Sequence, residues 1–316
     1  MQSQAQSPLV AIVGPTAVGK SELALRLAQR FDGEIVNADS RHVYRGLDLG
    51  TAKPTPAERA EVSHHLVDVV NVDETYSLAL YLEEANRAIQ DVHSRGRLPL
   101  LVGGTGQYVW ALLEGFRAPH VPPNAALRER LEAQARDEGH DALWNRLHEV
   151  DPASAERIDA RNVRRVVRAL EVTLESGVPF SQARRRESPP YRSLVIGLTL
   201  ERAELYRRID ERVDAMIVAG WPGEVARLMA AGHSPELPAM AAIGYRDMVE
   251  YVTGKLSLQW AGDAIKVATH RFARRQFSWF RPGDPRILWL DAASPDAFEA
   301  AAALVSGHLA AAGDGP

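Results

Sequence analysis

The sequence predicts an α/β protein in which a parallel sheet is wrapped by helices and interrupted by an all-helical insertion. Three observations predict it. Short apolar runs alternate with helical stretches, the pattern of strands joined by crossover helices. The first apolar run leads into Gly14-Pro15-Thr16-Ala17-Val18-Gly19-Lys20-Ser21, a match to G-x-x-x-x-G-K-[ST], the phosphate-binding P-loop. Prolines at 119, 122 and 123, and the breaker Ser188-Pro189-Pro190, bracket a stretch with helical patterning and little strand pattern. The expected division is residues 1–118 as the first part of the core, 119–190 as the insertion and 191–316 as the second part of the core.

The elements follow in order. Leu9-Val10-Ala11-Ile12-Val13 has the length of a buried parallel strand. Past the glycine loop, Leu23, Leu27 and Phe31 recur four apart, with Ala24 and Ala28 beside them, so 22–31 reads as a helix. Strand, loop and helix stand in the order a P-loop requires. Gly14 and Gly19 let the backbone turn its N–H groups onto an anion, and the helix N-terminus adds its positive dipole end. Lys20 supplies a point charge for a terminal phosphate, and Ser21 can place a hydroxyl on Mg²⁺. The loop specifies a di- or triphosphate without saying which.

Residues 34–38 read as a second strand ending at Asp39-Ser40. A loop with Gly46, Gly50, Pro54 and Pro56 follows, then a short strand over 64–70. Leu78, Leu82, Ala85 and Ile89 predict a helix over 77–92. Residues 98–102 form a third apolar strand, broken by Gly103-Gly104-Thr105-Gly106, and a helix opens at Tyr108. Helices fill 125–177. Strand pattern returns at 194–198, and long helices resume with Leu205, Ile209, Val213 and Met216. A last strand at 287–290 and an alanine-rich helix over 300–312 close the chain. No internal repeat is visible.

Composition narrows the function. The chain has 316 residues, 25% charged and 46% hydrophobic, as expected of a globular protein. No run of about 18 apolar residues is present, and residues 1–8 lack the apolar core of a signal peptide. The absence of cysteine excludes disulfides, cysteine-bound zinc and thiol catalysis. A cytoplasmic enzyme is the expectation. The net charge of −4 speaks weakly against nucleic acid. Its distribution speaks the other way. Arg161, Arg164, Arg165 and Arg168 recur at spacings of three and four, which predicts one helix face. Arg184-Arg185-Arg186 and Arg192 follow. Residues 269–281 interleave arginines with Phe272, Phe277 and Trp279, a mixture suited to phosphates and unpaired bases, though each aromatic taken singly suits a core equally.

In open parallel sheets, ligands bind beyond the carboxyl ends of the strands. The P-loop, Asp39-Ser40 and Gly103-Gly104-Thr105 all fall there. The apolar strand 100–102 ends in Gly-Gly-Thr instead of a Walker-B aspartate, with Asp39 or Asp68 as less plain substitutes, which argues against a motor or ATPase. His64 and His65 have no partner at a ligand spacing and are expected to be structural. A small-molecule or nucleotide kinase using the same loop on ATP and a non-catalytic RNA-binding protein stay open at this point.

Taken together, the motifs resemble the tRNA dimethylallyltransferase (tRNA isopentenyltransferase) family in its bacterial form. They are the P-loop at Gly14 to Ser21; Asp39-Ser40-Arg41-His42-Val43-Tyr44-Arg45-Gly46-Leu47-Asp48-Leu49-Gly50-Thr51-Ala52-Lys53-Pro54; His64-His65-Leu66-Val67-Asp68; and Leu101-Val102-Gly103-Gly104-Thr105-Gly106 with Tyr108 and Glu114-Gly115. Arg164-Arg165-Val166-Val167-Arg168-Ala169-Leu170-Glu171-Val172, Ile243-Gly244-Tyr245-Arg246, and Arg274-Arg275-Gln276 with Trp279-Phe280-Arg281 complete them. They span nearly the whole chain, and the block from Asp39 to Pro54 is the most specific. Departures are peripheral: Gln107 replaces a common apolar residue, His270 a common arginine, Arg274 a usual lysine and Ser278 a frequent threonine. The chain ends without the zinc finger of many eukaryotic members.

The resemblance implies transfer of a dimethylallyl group from dimethylallyl diphosphate to the exocyclic amine of the adenosine just 3′ of the anticodon. It implies a P-loop-kinase-like core, an insertion that grips the anticodon stem-loop, Mg²⁺ as cofactor, no membrane and a monomer with no obligate protein partner. Gly14, Pro15, Thr16, Ala17, Val18, Gly19, Lys20 and Ser21 then hold the donor's diphosphate, with Ser21 at the metal. Lys20 and Thr105 serve the leaving group, and Asp39 is the general base. Contacts to tRNA fall on Asp39, Ser40, Arg41, His42, Thr105, Arg128, Val163, Arg164, Arg165, Val166, Val167, Arg168, Gly244, Tyr245 and Arg246. The chemistry suits these residues. An allylic diphosphate ionises once its leaving group is neutralised. The adenine amine, with its lone pair delocalised into the ring, gains from a carboxylate that takes its proton, and its base must leave the stack.

Overall fold

β1 (Ser7–Val13) is apolar, its last five residues are buried, and the main sheet is built outwards from it. The computed structural model describes residues 6–119, 121–183, 185–187 and 191–311. Arg184, Ser188, Pro189 and Pro190, residues 1–5 and the end of the predicted final helix lie outside the described residues.

From β1 the chain runs through α1 (Lys20–Arg30), β2 (Gly33–Asn37), α2 (Pro56–Glu61), β3 (His64–His65), α3 (Leu78–Ser94), β4 (Leu98–Val102) and α4 (Gly106–Leu113). Next come β5 (Phe116–Arg117), α5 (Ala125–Asp137), α6 (His140–Val150), α7 (Pro152–Ala155), α8 (Val163–Ser176), α9 (Phe180–Ala183) and β6 (Arg185–Arg186). The last stretch holds β7 (Tyr191–Thr199), α10 (Arg202–Val218), α11 (Trp221–Ala230), α12 (Tyr245–Val252), α13 (Leu258–Trp279), β8 (Ile287–Asp291) and α14 (Ala297–Ala310). Two compact units result: Met1–Leu113 with Pro189–Pro316, and Glu114–Ser188.

In the first unit the strands lie in the order β3-β2-β4-β1-β7-β8, all pairs parallel. This is the parallel sheet wrapped by helices that the alternating pattern predicts. Ile12 pairs with Val102 and Val102 with Asn37, so the loops after β1, β4 and β2 emerge side by side. Gly103 N–H donates to Ile12 O at 3.3 Å and Ala38 N–H to Val102 O at 2.7 Å, tying the loop roots together. A Cβ on Gly103 would stand 2.2 Å from the Ala38 backbone, which is why glycine follows β4. One core packs α1, α10 and α14 on the sheet through Leu27, Ile209 and Val305; a second gathers Leu47, Val213, Trp221, Tyr245 and Ile265.

Two elements differ from the sequence reading. The strand expected over 64–70 stops after His65, because Leu66 and Asp68 adopt left-handed backbone (φ 62° and 57°) that no strand can continue through. The loop expected around Pro56 holds α2. Thr55 Oγ1 accepts from Glu58 N–H, the Glu58 carboxylate accepts from Thr55 N–H, and Pro56 opens the first turn. That capping box is legible as Thr-Pro-x-Glu.

The second unit is helical around Leu131, Leu143, Leu147, Val166 and Leu170, with one short antiparallel pairing of β5 with β6. Its buried Glu171 accepts Arg128 at 2.7 and 2.8 Å, Arg168 at 2.6 Å and the Asn124 N–H at 2.8 Å. Burial works to raise the Glu171 pKa, but the two guanidiniums outweigh it and hold the carboxyl below its usual range.

The block from Asp39 to Pro54 is fixed by two buried charges. Lys53 Nζ donates to Tyr44 O, Asp48 Oδ1 and Asp68 Oδ1, each at 2.6 Å. Glu224 of α11 accepts from Asp48 N–H at 3.0 Å, Leu49 N–H at 2.7 Å, Gly50 N–H at 3.4 Å and the Tyr245 hydroxyl at 2.6 Å. Removing that carboxylate strands several buried donors. Glu224→Ala is therefore expected to lower the unfolding free energy in urea by about 3 kcal/mol, at ~1–3 kcal/mol for each stranded group. A loss under about 1 kcal/mol would show that water replaces the carboxylate.

Candidate active site

At the carboxyl edge of the first unit lies a cavity of about 500 Å³, within the range of small-molecule sites. Its polar wall includes Thr16, Asp39, Ser40, Arg41, Thr105, Arg212 and Gln276, and its apolar wall includes Ile209, Val213, Met216, Trp221, Ile265 and Phe272. The three loops predicted to carry the site therefore open into one space.

The P-loop is built for an anion. Gly14 has φ 140°, and a Cβ there would meet Leu198 O at 2.6 Å. Gly19, at φ 103°, is the residue from which α1 starts. Lys20 Nζ donates to Pro15 O at 2.7 Å, folding back over the loop. Burial and the neighbouring Arg212 lower its pKa to about 7, against the pull of Asp39. Ser21 is exposed in the first turn of α1.

Asp39 sits just past β2. Asn37 spans its backbone, accepting the Asp39 N–H and donating to Asp39 O, both at 2.9 Å. Asp39 Oδ1 accepts from Arg41 N–H at 2.8 Å. Burial works against the carboxylate, but His42, that N–H, Lys20 and Arg41 together hold its pKa below the usual range. The His42 pKa is lowered too, by burial, against the pull of Asp39 and of Thr51 O, which lies 3.0 Å from its Nε2. Thr105 Oγ1 accepts from Ser40 N–H at 3.0 Å, so Thr105 braces the Asp39 loop.

Two residues of the site escaped the sequence reading. Arg212 sits on α10 three residues after Ile209 and four before Met216, an arginine on the apolar stripe, and that placement was the available signal. Gln276, quoted within a motif but given no role, is buried on α13 and bonded to both Thr16 and Gly104. Asp68 is removed as a Walker-B substitute, since Lys53 at 2.6 Å and Arg59 at 2.7 Å occupy it. Among the described residues no three His, Asp or Glu side chains are grouped to hold a metal. Ser21 with diphosphate oxygens and water is a donor set that fits Mg²⁺, which takes few protein ligands.

The single arginine face is corrected. Asn162 caps α8, so Arg161 precedes the helix, where its guanidinium pairs with Asp159 at 2.7 Å. Arg128 and Arg168 are held by Glu171. Val166 and Val167 are buried in their own unit and Val163 packs against the same core, so these valines do not present side chains to a partner. Arg164 and Arg165 are exposed and have no partner among the described residues. Tyr245 is likewise fully buried and Gly244 packs on Trp221, leaving Arg246 as the exposed member of that triplet. In the 269–281 segment, Arg275 and Phe272 line the cavity, Phe277 packs against the core, and Trp279 is half exposed over Gly106.

Comparison with known proteins places the chain in a family. Residues 42–283 match the model of the family described as IPP transferase. The tRNA dimethylallyltransferase of Roseiflexus castenholzii is 54% identical over 298 residues, 94% of this chain and 97% of that protein. That of Geobacter sulfurreducens is 48% identical, covering 92% and 94%. The full-length tRNA isopentenylpyrophosphate transferase of Bacillus halodurans superposes with a TM-score of 0.72 at 38% identity, covering 98% of each chain. A eukaryotic dimethylallyltransferase acting on tRNA superposes at 0.81 and 27% identity, over 96% of this chain and 80% of its own. No described helix is long and apolar enough to cross a membrane.

Lys20 yields a prediction. Free Lys20 is mostly neutral above its value of about 7, and a bound anion favours the ammonium. Binding of inorganic diphosphate should therefore take up close to one extra proton near about pH 8 and almost none below about pH 6. Calorimetry in buffers of different ionisation enthalpy measures it. Lys20→Arg, charged throughout, should lack that extra uptake; equal uptake in both proteins would assign the proton to the ligand.

Proposed function

We propose that this chain, which belongs to the tRNA dimethylallyltransferase family, transfers a dimethylallyl group from dimethylallyl diphosphate to the exocyclic amine of the adenosine immediately 3′ of the anticodon, giving isopentenyladenosine and diphosphate. The observation that carries the reading is the single cavity with two unlike walls. A phosphate cradle and a carboxylate meet on one side, and aliphatic and aromatic side chains suited to a prenyl tail line the other. The donor's diphosphate lies on the P-loop, where backbone N–H groups, Lys20 and Arg212 face the oxygens that gain charge as the allylic C–O bond breaks. Diphosphate leaves with the bonding pair, and the amine nitrogen forms the new bond to carbon. Asp39, ionised across the neutral range, accepts the proton that the amine releases. Mg²⁺, when bound, supplies further neutralisation of the diphosphate, with Ser21 as the protein's ligand to it. The cavity's described lining comes from this one chain, in keeping with a monomer, and a tRNA substrate favours the cytoplasm.

The assignment of Asp39 is tested by Asp39→Asn in single-turnover rates with saturating tRNA across a magnesium series. Loss of a base should slow the chemical step about 10²- to 10⁴-fold while both substrates stay bound. Recovery at high magnesium would instead make Asp39 a metal ligand, and a near-normal rate would remove it from the chemistry.

The exposed pair Arg164 and Arg165 is read as a phosphate contact. Replacing both with alanine should weaken tRNA binding and flatten its dependence on log salt by about 1–2, since each neutralised phosphate releases counterions. Arg168→Ala should instead destabilise the helical unit, because it strands the buried Glu171. An unchanged slope in the double variant would leave the pair as a solvated surface.

A further inference from the structure

We infer that Gln276 is a positioning residue that holds the donor's phosphate cradle and the acceptor's corner at a fixed separation. The inference rests on the prenyl-transfer reading of the cavity.

Gln276 lies on α13, 4% exposed, between Ala273 and Phe280, both fully buried. Its Oε1 accepts the Thr16 N–H of the P-loop at 2.8 Å, and its Nε2 donates to Gly104 O at 3.0 Å. One planar amide thus joins the loop after β1 to the loop after β4. The first loop carries Lys20. The second continues into Thr105, whose hydroxyl receives Ser40 N–H, next to Asp39. The other ties of these loops lie elsewhere: Gly103 N–H to Ile12 O at 3.3 Å joins their roots, and Thr105 N–H to Ala38 O at 3.1 Å joins the second loop to the chain before Asp39. Beyond Ile12–Val102 the strand register no longer holds them, and Ala17 inside the P-loop is in left-handed backbone at φ 63°. The chain is shaped around the bridge: a Cβ on Gly104 would stand 2.0 Å from Gln276 Nε2.

The chemistry demands such a spacer. In-line attack needs the amine about 3–3.5 Å from the allylic carbon, so a drift of about 1 Å between cradle and corner costs rate while leaving each substrate's own contacts in place. An amide is the group required, since Thr16 offers a donor and Gly104 an acceptor. A carboxylate meets the first and repels the second. A carboxylic acid meets both.

The test compares wild type with Gln276→Met, Gln276→Ala, Gln276→Glu, Gly104→Ala and the Gly104→Ala/Gln276→Ala pair. Dimethylallyl diphosphate and an anticodon stem-loop RNA serve as substrates. Gln276→Met should slow single-turnover transfer about 10- to 100-fold while the Kd of each substrate moves less than about threefold. For Gln276→Glu, the rate relative to wild type should climb as pH falls and the acid reforms the bridge. Gly104→Ala should slow transfer like Gln276→Met. The pair should be no slower than Gln276→Ala, since the shortened side chain leaves room for the new Cβ. Thermal melts check folding, and should Gln276→Met not fold, the Gln276→Glu pH ratio and Gly104→Ala decide. Rates like wild type, a binding loss as large as the rate loss, a flat pH ratio or simple additivity would overturn the inference. An inactive wild type would overturn the reaction reading and the inference with it, whereas an active wild type with unaffected variants removes the inference alone.

Discussion

Lys20 and Arg212 are held close together, half-buried, with one carboxylate, Asp39, beside them. Burial and Arg212 loosen the Lys20 proton, so above about pH 7 the free site is close to balanced between Arg212 and Asp39, in a cavity largely walled by aliphatic and aromatic groups. The fold sets this poise by bringing α10 to the P-loop, and an arriving anion restores the Lys20 ammonium. Much of the surrounding structure keeps that arrangement from relaxing. Asn37 pins the backbone of Asp39, Thr105 braces the following residue, and Lys53 and Glu224 anchor the rest of the loop. Preorganised charge of this kind favours a transition state in which the leaving group gains charge.

Much of the fold was legible because strand and loop are local signals. The P-loop, the apolar strands and the Gly-Gly-Thr break stand where patterning places them, and parallel pairing brings their ends together. What patterning missed depends on contacts distant in sequence. Gln276 meets Thr16 from 260 residues away and Glu224 meets Leu49 from 175, and no window of sequence contains both partners. Arg212 was legible in principle, as an arginine on an apolar stripe, yet its partners could not be read from α10 alone. The arginine face shows the opposite error. Spacing along a helix puts side chains on one side, but Glu171, on the same helix, claims Arg168 from within.

The helical unit sorts its arginines by burial of their partners. Glu171 is fully buried, so Arg128 and Arg168 are structural neutralisers whose loss strands a charge. Arg164 and Arg165, at the start of α8, face solvent. A motif that reads as uniform basic character thus divides into residues that hold the unit together and residues free to meet a polyanion.

The abrupt end of β3 bears on how the molecule behaves in a crowded solution. It is an outer strand of the sheet, the position at which unpaired backbone invites another chain to add itself. Here that strand is two residues long, and left-handed Leu66 and Asp68 turn the backbone away at once, with Asp68 fastened by Lys53 and Arg59. A self-associating copy would find too short a ledge to extend. The same loop that anchors the block from Asp39 to Pro54 therefore guards the sheet against aggregation on that side.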